Sequence, residues 1–115
     1  MKKVHAFFYR TETGAEPVRE WLKTLGKPDS VIIGSDIKTV EYGWPIGMPV
    51  CRPLGGGLYE VRSCLPGGRT ARVLFCIEGE CMILLHGFIK KTQKLSQQDR
   101  NLAFARKRKL ESNDE

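Results

Sequence analysis

The chain has no CxxC pair, only two histidines, His5 and His86, and no apolar run that approaches the length of a membrane span. The four cysteines, Cys51, Cys64, Cys76 and Cys81, are too scattered and the histidines too few for the usual zinc ligand spacings, so no metal centre is expected. A bilayer helix needs about 20 consecutive apolar residues. Lys2 and Lys3 are followed by an apolar stretch that His5 interrupts and Arg10 ends, too short for a signal peptide. The expectation is a cytoplasmic protein with reduced thiols and no membrane partner. Repeats and low-complexity tracts are absent. The triple glycine Gly55, Gly56 and Gly57 is followed by no helix and no GK[ST], so it reads as an entrance to the next strand rather than a phosphate cradle.

What is present suits one folded domain over 1–115, with a fraying tail at 111–115. The chain is 41% hydrophobic and 28% charged, an ordinary globular balance. Its formal charge of +6 is uneven. Residues 59–109 carry eleven basic and four acidic side chains, whereas 1–58 carry eight and six. A basic face of this kind can displace counter-ions from nucleic acid, although it can also serve solubility alone.

Residues 4–9 are apolar and aromatic and predict a first strand. Pro17 suits the first turn of a helix that places Val18, Trp21, Leu22 and Leu25 on one side and closes at Gly26. A second helix is expected from about Pro28, carrying Val31, Ile32, Ile37 and Val40 and stopping at Gly43 and Pro45. Residues 46–57, rich in Pro and Gly, read as an ordered loop. Strands are then expected over 58–65, 69–77 and 80–90, with tight turns between them, which makes an antiparallel meander. From Ser96, a good N-cap, to Leu110 the chain reads as a last helix. Asp99 lies in its first turn, and Leu102, Phe104 and Ala105 are its apolar contacts. The run Arg106 to Lys109 sits where a helix dipole favours cations. The fold class is α+β.

Strand alternation puts Glu60, Arg62 and Cys64 on one side, and Arg72 opposite the apolar set Ala71, Val73, Phe75 and Ile77. Arg62 and Arg72 are thereby expected on one exposed face, where two guanidiniums could grip a phosphate as charge develops on it. A cross-strand ion pair between Glu60 and an arginine is the competing reading. His86, Phe88 and Lys90 alternate on one side of the last strand. His86 could move a proton or be structural; Phe88 could stack on a base or fill the core. Lys90, Lys91 and Lys94 are three cations in five residues, and phosphate contact is the expected role, with Arg69 a further RNA-binding candidate.

The segments LYEVR, RTARVLF and LLHGFIKKTQK, in this order, resemble the RelE/ParE toxin superfamily and its phage-derived, HigB-like branch. The resemblance implies a RelE-like fold. It also implies a toxin of a type II toxin–antitoxin system that cleaves messenger RNA on the ribosome without a metal or other cofactor. The ribose 2′-hydroxyl would attack the adjacent phosphate, and an antitoxin, often with a helix-turn-helix domain, would silence it. By position the resemblance points to Arg62, Arg72, Glu60, Lys90, Lys91 and Lys94; together with the reading of the strands, Arg62, Arg72, Lys91, Glu60 and His86 are the catalytic candidates, and Lys90, Lys94, Phe88 and Arg69 the RNA-binding ones. Neither a tyrosine nor an acidic-aromatic-histidine end follows the last strand, so the resemblance names no general base or acid. Two other readings stay open: a ParE-like inhibitor of gyrase, and a non-enzymatic basic binding module.

Overall fold

The computed structural model describes residues 1–90 and 95–112. Its elements in chain order are β1 (His5–Phe8), α1 (Pro17–Thr24), α2 (Lys27–Gly43), β2 (Cys51–Gly55), β3 (Leu58–Leu65), β4 (Arg69–Glu78), β5 (Cys81–Lys90) and α3 (Gln97–Ser112). The strands form one sheet in the order β1-β5-β4-β3-β2, with β1 parallel to β5 and every other pair antiparallel. This is the expected α+β, RelE-like architecture, with the predicted meander at its centre.

The sheet is covered on both sides, and that decides which polar residues are buried. One face packs Val61, Ala71, Val73, Phe75, Met82 and Leu84 against Val18 of α1 and Ile33, Ile37 and Val40 of α2. The other packs Leu58, Leu74, Cys76 and Leu85 against Tyr9 and Ala103, the latter from α3. At about 25 cal/mol per Å² of apolar surface, each fully buried aliphatic side chain contributes roughly 1.5–3 kcal/mol. Gly87 lets the Trp21 ring lie flat on the β5 backbone; a Cβ there would overlap the indole. The outer edge of β1 is closed by Glu41 of α2, whose Oε2 accepts the Ala6 amide at 2.8 Å and pairs with Lys2 at 3.1 Å. A capped edge cannot recruit a further strand.

Four local expectations need correction. Residues 46–57 are not all loop: Cys51–Gly55 is the edge strand β2, and Pro53 is tolerated because an edge strand has one side without a ladder partner. The glycines at 55–57 form the hairpin turn with positive φ throughout, and Gly56 lies against the Phe104 ring of α3. In α2 the buried set is Ile33, Ile37 and Val40, while Val31 is 58% exposed, because the helix turns a different stripe to the sheet. In α3 it is Ala103 that is sealed, with Leu102 and Ala105 facing outward. Finally, α1 ends at Thr24, and Gly26 occupies the N-cap of α2 rather than closing α1.

Candidate functional site

The second sheet face carries a cluster of charge at the end away from the apolar contacts of α3. Strand pairing builds it as a grid. Arg52 of β2 lies opposite Glu60 of β3, Arg62 lies opposite Arg72 of β4, and Arg72 opposite Phe88 of β5, with Thr70 opposite Lys90 in the next row. Arg62 and Arg72 therefore share a face, as strand alternation predicts. They do not share exposure. Arg72 is 2% exposed and Arg62 26%; Arg72 lies on β4, flanked by β3 and β5, and Arg62 one strand nearer the edge. The expected open face is instead a graded one, with the Arg72 guanidinium inside and those of Arg62 and Arg52 progressively more exposed.

Glu60 is the hub. Its side chain is fully buried, with Oε1 at 3.1 Å from Arg52 Nε and 3.9 Å from Arg62 Nε, and Oε2 at 3.6 Å from Arg72 Nη1. Both carboxylate oxygens lack a contact with hydrogen-bond geometry among the described residues, so charge rather than directed bonding holds the group. Like charges directly opposite on neighbouring strands repel. The pairing of Arg62 with Arg72 is tolerated because Glu60 stands one row away with a carboxylate between them. Burial pushes the Arg72 guanidinium below its ordinary range, and the charges of Arg62 and Arg52 push the same way against Glu60. Glu60, a catalytic candidate from the sequence, is thus a carboxylate sealed among three guanidiniums.

Lys90 completes the basic side of the site. Its Nζ is sealed from solvent, makes no hydrogen bond among the described residues, and lies 5.7 Å from the centre of the Phe88 ring. Its pKa is lowered, first by burial and then by Arg72. Phe88 in turn faces the His86 ring at 5.2 Å with a 31° tilt. Lys91 and Lys94 lie outside the described residues. Arg69 does not join the site: it is on the opposite face, where Nη1 and Nη2 bind the Asp29 carboxylate at 2.7 and 3.0 Å.

His86 is fixed from across the sheet. Its Nε2 lies 2.7 Å from Asp99 Oδ1 in the first turn of α3, and Asp99 Oδ2 accepts the Ser96 hydroxyl at 2.6 Å. Ser96 also caps α3 as expected, its Oγ accepting the Asp99 amide at 3.1 Å. Burial alone would raise the Asp99 pKa, but the bonds from Ser96 and His86 and the charge of Lys90 outweigh it and lower it. The rest of α3 is tied down by structural contacts: Arg100 donates to Leu54 O at 2.9 Å, and Arg106 donates to Leu85 O at 2.7 Å and lies over Tyr9. Lys107 pairs with Glu111 and Lys109 with Glu12. Most of the basic run on α3 is thus spent on holding the helix.

Two participants escaped the sequence reading. Arg52 enters the site only because 51–55 is a strand; reading the glycines at 55–57 as a hairpin turn would have set it opposite Glu60. Asp99 reads as a helix-start acid, and nothing in its spacing from His86 points to contact. Among the described residues no group of three or more His, Cys, Asp or Glu could hold a metal ion, and no helix is long and apolar enough to cross a membrane. All four cysteines are free thiols; Cys51 and Cys76 are buried and Cys64 is exposed. Chemically, four cations (Arg52, Arg62, Arg72 and Lys90) face two carboxylates (Glu60 and Asp99), which leaves net positive charge on rigid strands beside two aromatic rings. A search of curated proteins returns no match to the chain. The model of a RelE/toxin-like family does match, over residues 20–108 and hence over the whole of this site, and the chain belongs to that family, described as Phage derived protein Gp49-like (DUF891).

Proposed function

We propose that the protein is an RNA-cleaving toxin, an endoribonuclease that acts on messenger RNA at the ribosome and is silenced by a cognate antitoxin bearing a helix-turn-helix domain. The observation that carries this reading is the Arg62–Arg72 cross-strand pair, backed by a sealed carboxylate and flanked by Lys90. Buried like charges cost stability, and folds keep such arrangements where chemistry needs them. A phosphodiester carries one negative charge and gains more as the 2′-oxygen closes on phosphorus. Guanidiniums held in place before that charge appears stabilise it without reorganising.

In this reading Arg62, at 26% exposure, contacts the non-bridging oxygens, while Arg72 and the sealed Lys90 ammonium behind it supply field and Glu60 keeps the guanidinium planes in position. Phe88 offers its ring to a base, and Lys91 and Lys94 extend the contact to neighbouring phosphates. The products are a 2′,3′-cyclic phosphate and a 5′-hydroxyl. A cluster of this size can orient one linkage and leaves the shaping of the strand to its surroundings, the part this reading gives to the ribosome.

The test is induced expression of the chain in bacteria, with growth followed and RNA ends mapped. Arg62→Ala and Lys90→Ala are expected to remove both growth arrest and new 5′-hydroxyl ends. Growth arrest with intact messages and broken chromosomal DNA would instead identify a gyrase poison, and normal growth a binding module.

A further inference from the structure

We infer that His86 and Asp99 form a proton-transfer dyad, in which His86 Nδ1 takes the proton of the ribose 2′-hydroxyl and Asp99 is the positioning residue that holds the ring for this task. The inference rests on the nuclease reading above and supplies the base that the sequence resemblance leaves unnamed.

The geometry fixes more than a contact. Asp99 is held ionised by Ser96, His86 and Lys90, so its Oδ1 can only accept. At 2.7 Å the His86 Nε2 must then carry the hydrogen, so that Nδ1 is the nitrogen left to take a substrate proton. Nδ1 makes no hydrogen bond among the described residues and is not one of the sealed polar atoms, and the side chain is 17% exposed. The side chains of His86, Phe88 and Lys90 project from the same face of β5, and Phe88 is the strand partner of Arg72. A phosphate held at Arg62 in front of Arg72 therefore has a nitrogen base one row along β5 from Phe88, the strand partner of Arg72. The Ser96 hydroxyl locks the carboxylate as the carboxylate locks the ring, and this second layer turns a loose pair into an oriented one.

The step balances simply. The O2′–H bond breaks and its proton moves to Nδ1, the O2′–P bond forms as P–O5′ breaks, and water protonates the departing 5′-oxygen. Asp99 from α3 faces the ring, and Lys90 on β5, Arg72 on β4 and Glu60 on β3 are the other charged groups of this face. A base that acts only in its unprotonated form makes cleavage rise with pH.

The experiment uses the full chain with ribosomes translating a defined message, and cleavage is measured across pH. His86→Gln is expected to lower the rate about 10²- to 10⁴-fold and abolish the acid-side limb of the profile. Asp99→Asn is expected to slow cleavage and move that limb to lower pH, because the imidazolium loses its anion, and Asp99→Glu to restore part of the rate. Nitrogen-15 spectra of the imidazoles add a readout that needs no cleavage. Only His5 and His86 contribute, and His86 is expected as the Nε2-protonated tautomer in the wild type and as a mixture in Asp99→Asn. A wild type that never cleaves overturns the nuclease reading itself. A wild type that cleaves, with an unchanged pH profile in His86→Gln or a tautomer mixture already present in the wild type, overturns the dyad alone.

Discussion

Glu60→Gln removes one unit of charge from the centre of the site and little else, since the amide keeps the shape of the acid. At an effective dielectric of about 20, charges 3–4 Å apart attract by roughly 4–5 kcal/mol, and Glu60 has three such partners at 3.1, 3.6 and 3.9 Å. That gross attraction is largely offset by the several kcal/mol it costs to bury each ion. The partners also differ in what happens when the anion goes. Arg52 at 38% exposure and Arg62 at 26% can swing toward water, so their share is small. Arg72, at 2%, cannot. The expected loss is therefore that of weakening one buried ion pair while Arg72 keeps its other contacts, about 3 kcal/mol. For a chain of this size that is a fall in Tm of roughly 10–15 °C. Urea unfolding followed by the fluorescence of Trp21 and Trp44, both packed on the first core, gives the equilibrium value. Adding Arg72→Met to Glu60→Gln is expected to restore at least half of the loss, a coupling that two independent sites would not show. A Glu60→Gln protein within about 0.5 kcal/mol of the wild type would refute the reasoning.

Gly87→Ala forces a methyl group into the Trp21 indole and is expected to cost about 1–3 kcal/mol by the same unfolding assay, with an altered Trp21 emission. The Cys51 thiol is pushed up to about 11 by burial and the Glu60 charge, and Cys76 to about 11 by burial and Glu78. In native protein at pH 8 Ellman's reagent is therefore expected to modify Cys64 first and to reach Cys51 and Cys76 only on unfolding; a single rate for all four thiols would contradict this. Arg69→Ala is expected to leave growth arrest intact, since its guanidinium is held by Asp29 on the other face, and loss of toxicity in that variant would place RNA where the geometry does not. The depressed pKa of Asp99 sets the sign of an acid effect. A carboxyl with a lower folded than unfolded pKa contributes stability that is complete above its unfolded value, about 3.9, and is lost as pH falls through the folded one. Asp99→Asn is thus expected to flatten the stability profile below pH 4, as read by urea midpoints.

The sequence exposes the face but not its depth. Period-two alternation in 58–65 and 69–78 is strong enough to put Arg62 and Arg72 on one side, and the pairing register agrees. How deep that side lies depends on what packs over it, and α3, which covers part of the same face, gives poor warning in its sequence. The residue it seals into the sheet is a small one, Ala103, while the larger Leu102 faces out. A helix that docks through an alanine, an arginine on a backbone carbonyl and a phenylalanine against a glycine turn carries no clear apolar stripe. The Arg52 contact fails to show for a related reason, since a strand of five residues with a proline and a bulge lacks the alternation that identifies longer ones.

What the sequence does show is a violation of its own rules, and the violation is the more informative signal. Two arginines directly opposite each other on central strands repel, and one of them is buried at a cost that no apolar contact repays. Glu60 reduces that cost while sharing its carboxylate with Arg52 and Arg62. A fold selected for stability alone would replace Arg72 and Glu60 together with apolar residues of similar volume, a change that is often neutral or stabilising in buried ion pairs. The double replacement Glu60→Leu/Arg72→Met puts the point to experiment: it is expected to match or exceed wild-type stability in urea while abolishing growth arrest. If it instead unfolds the protein, the charges serve the fold. If it keeps growth arrest, the site lies elsewhere.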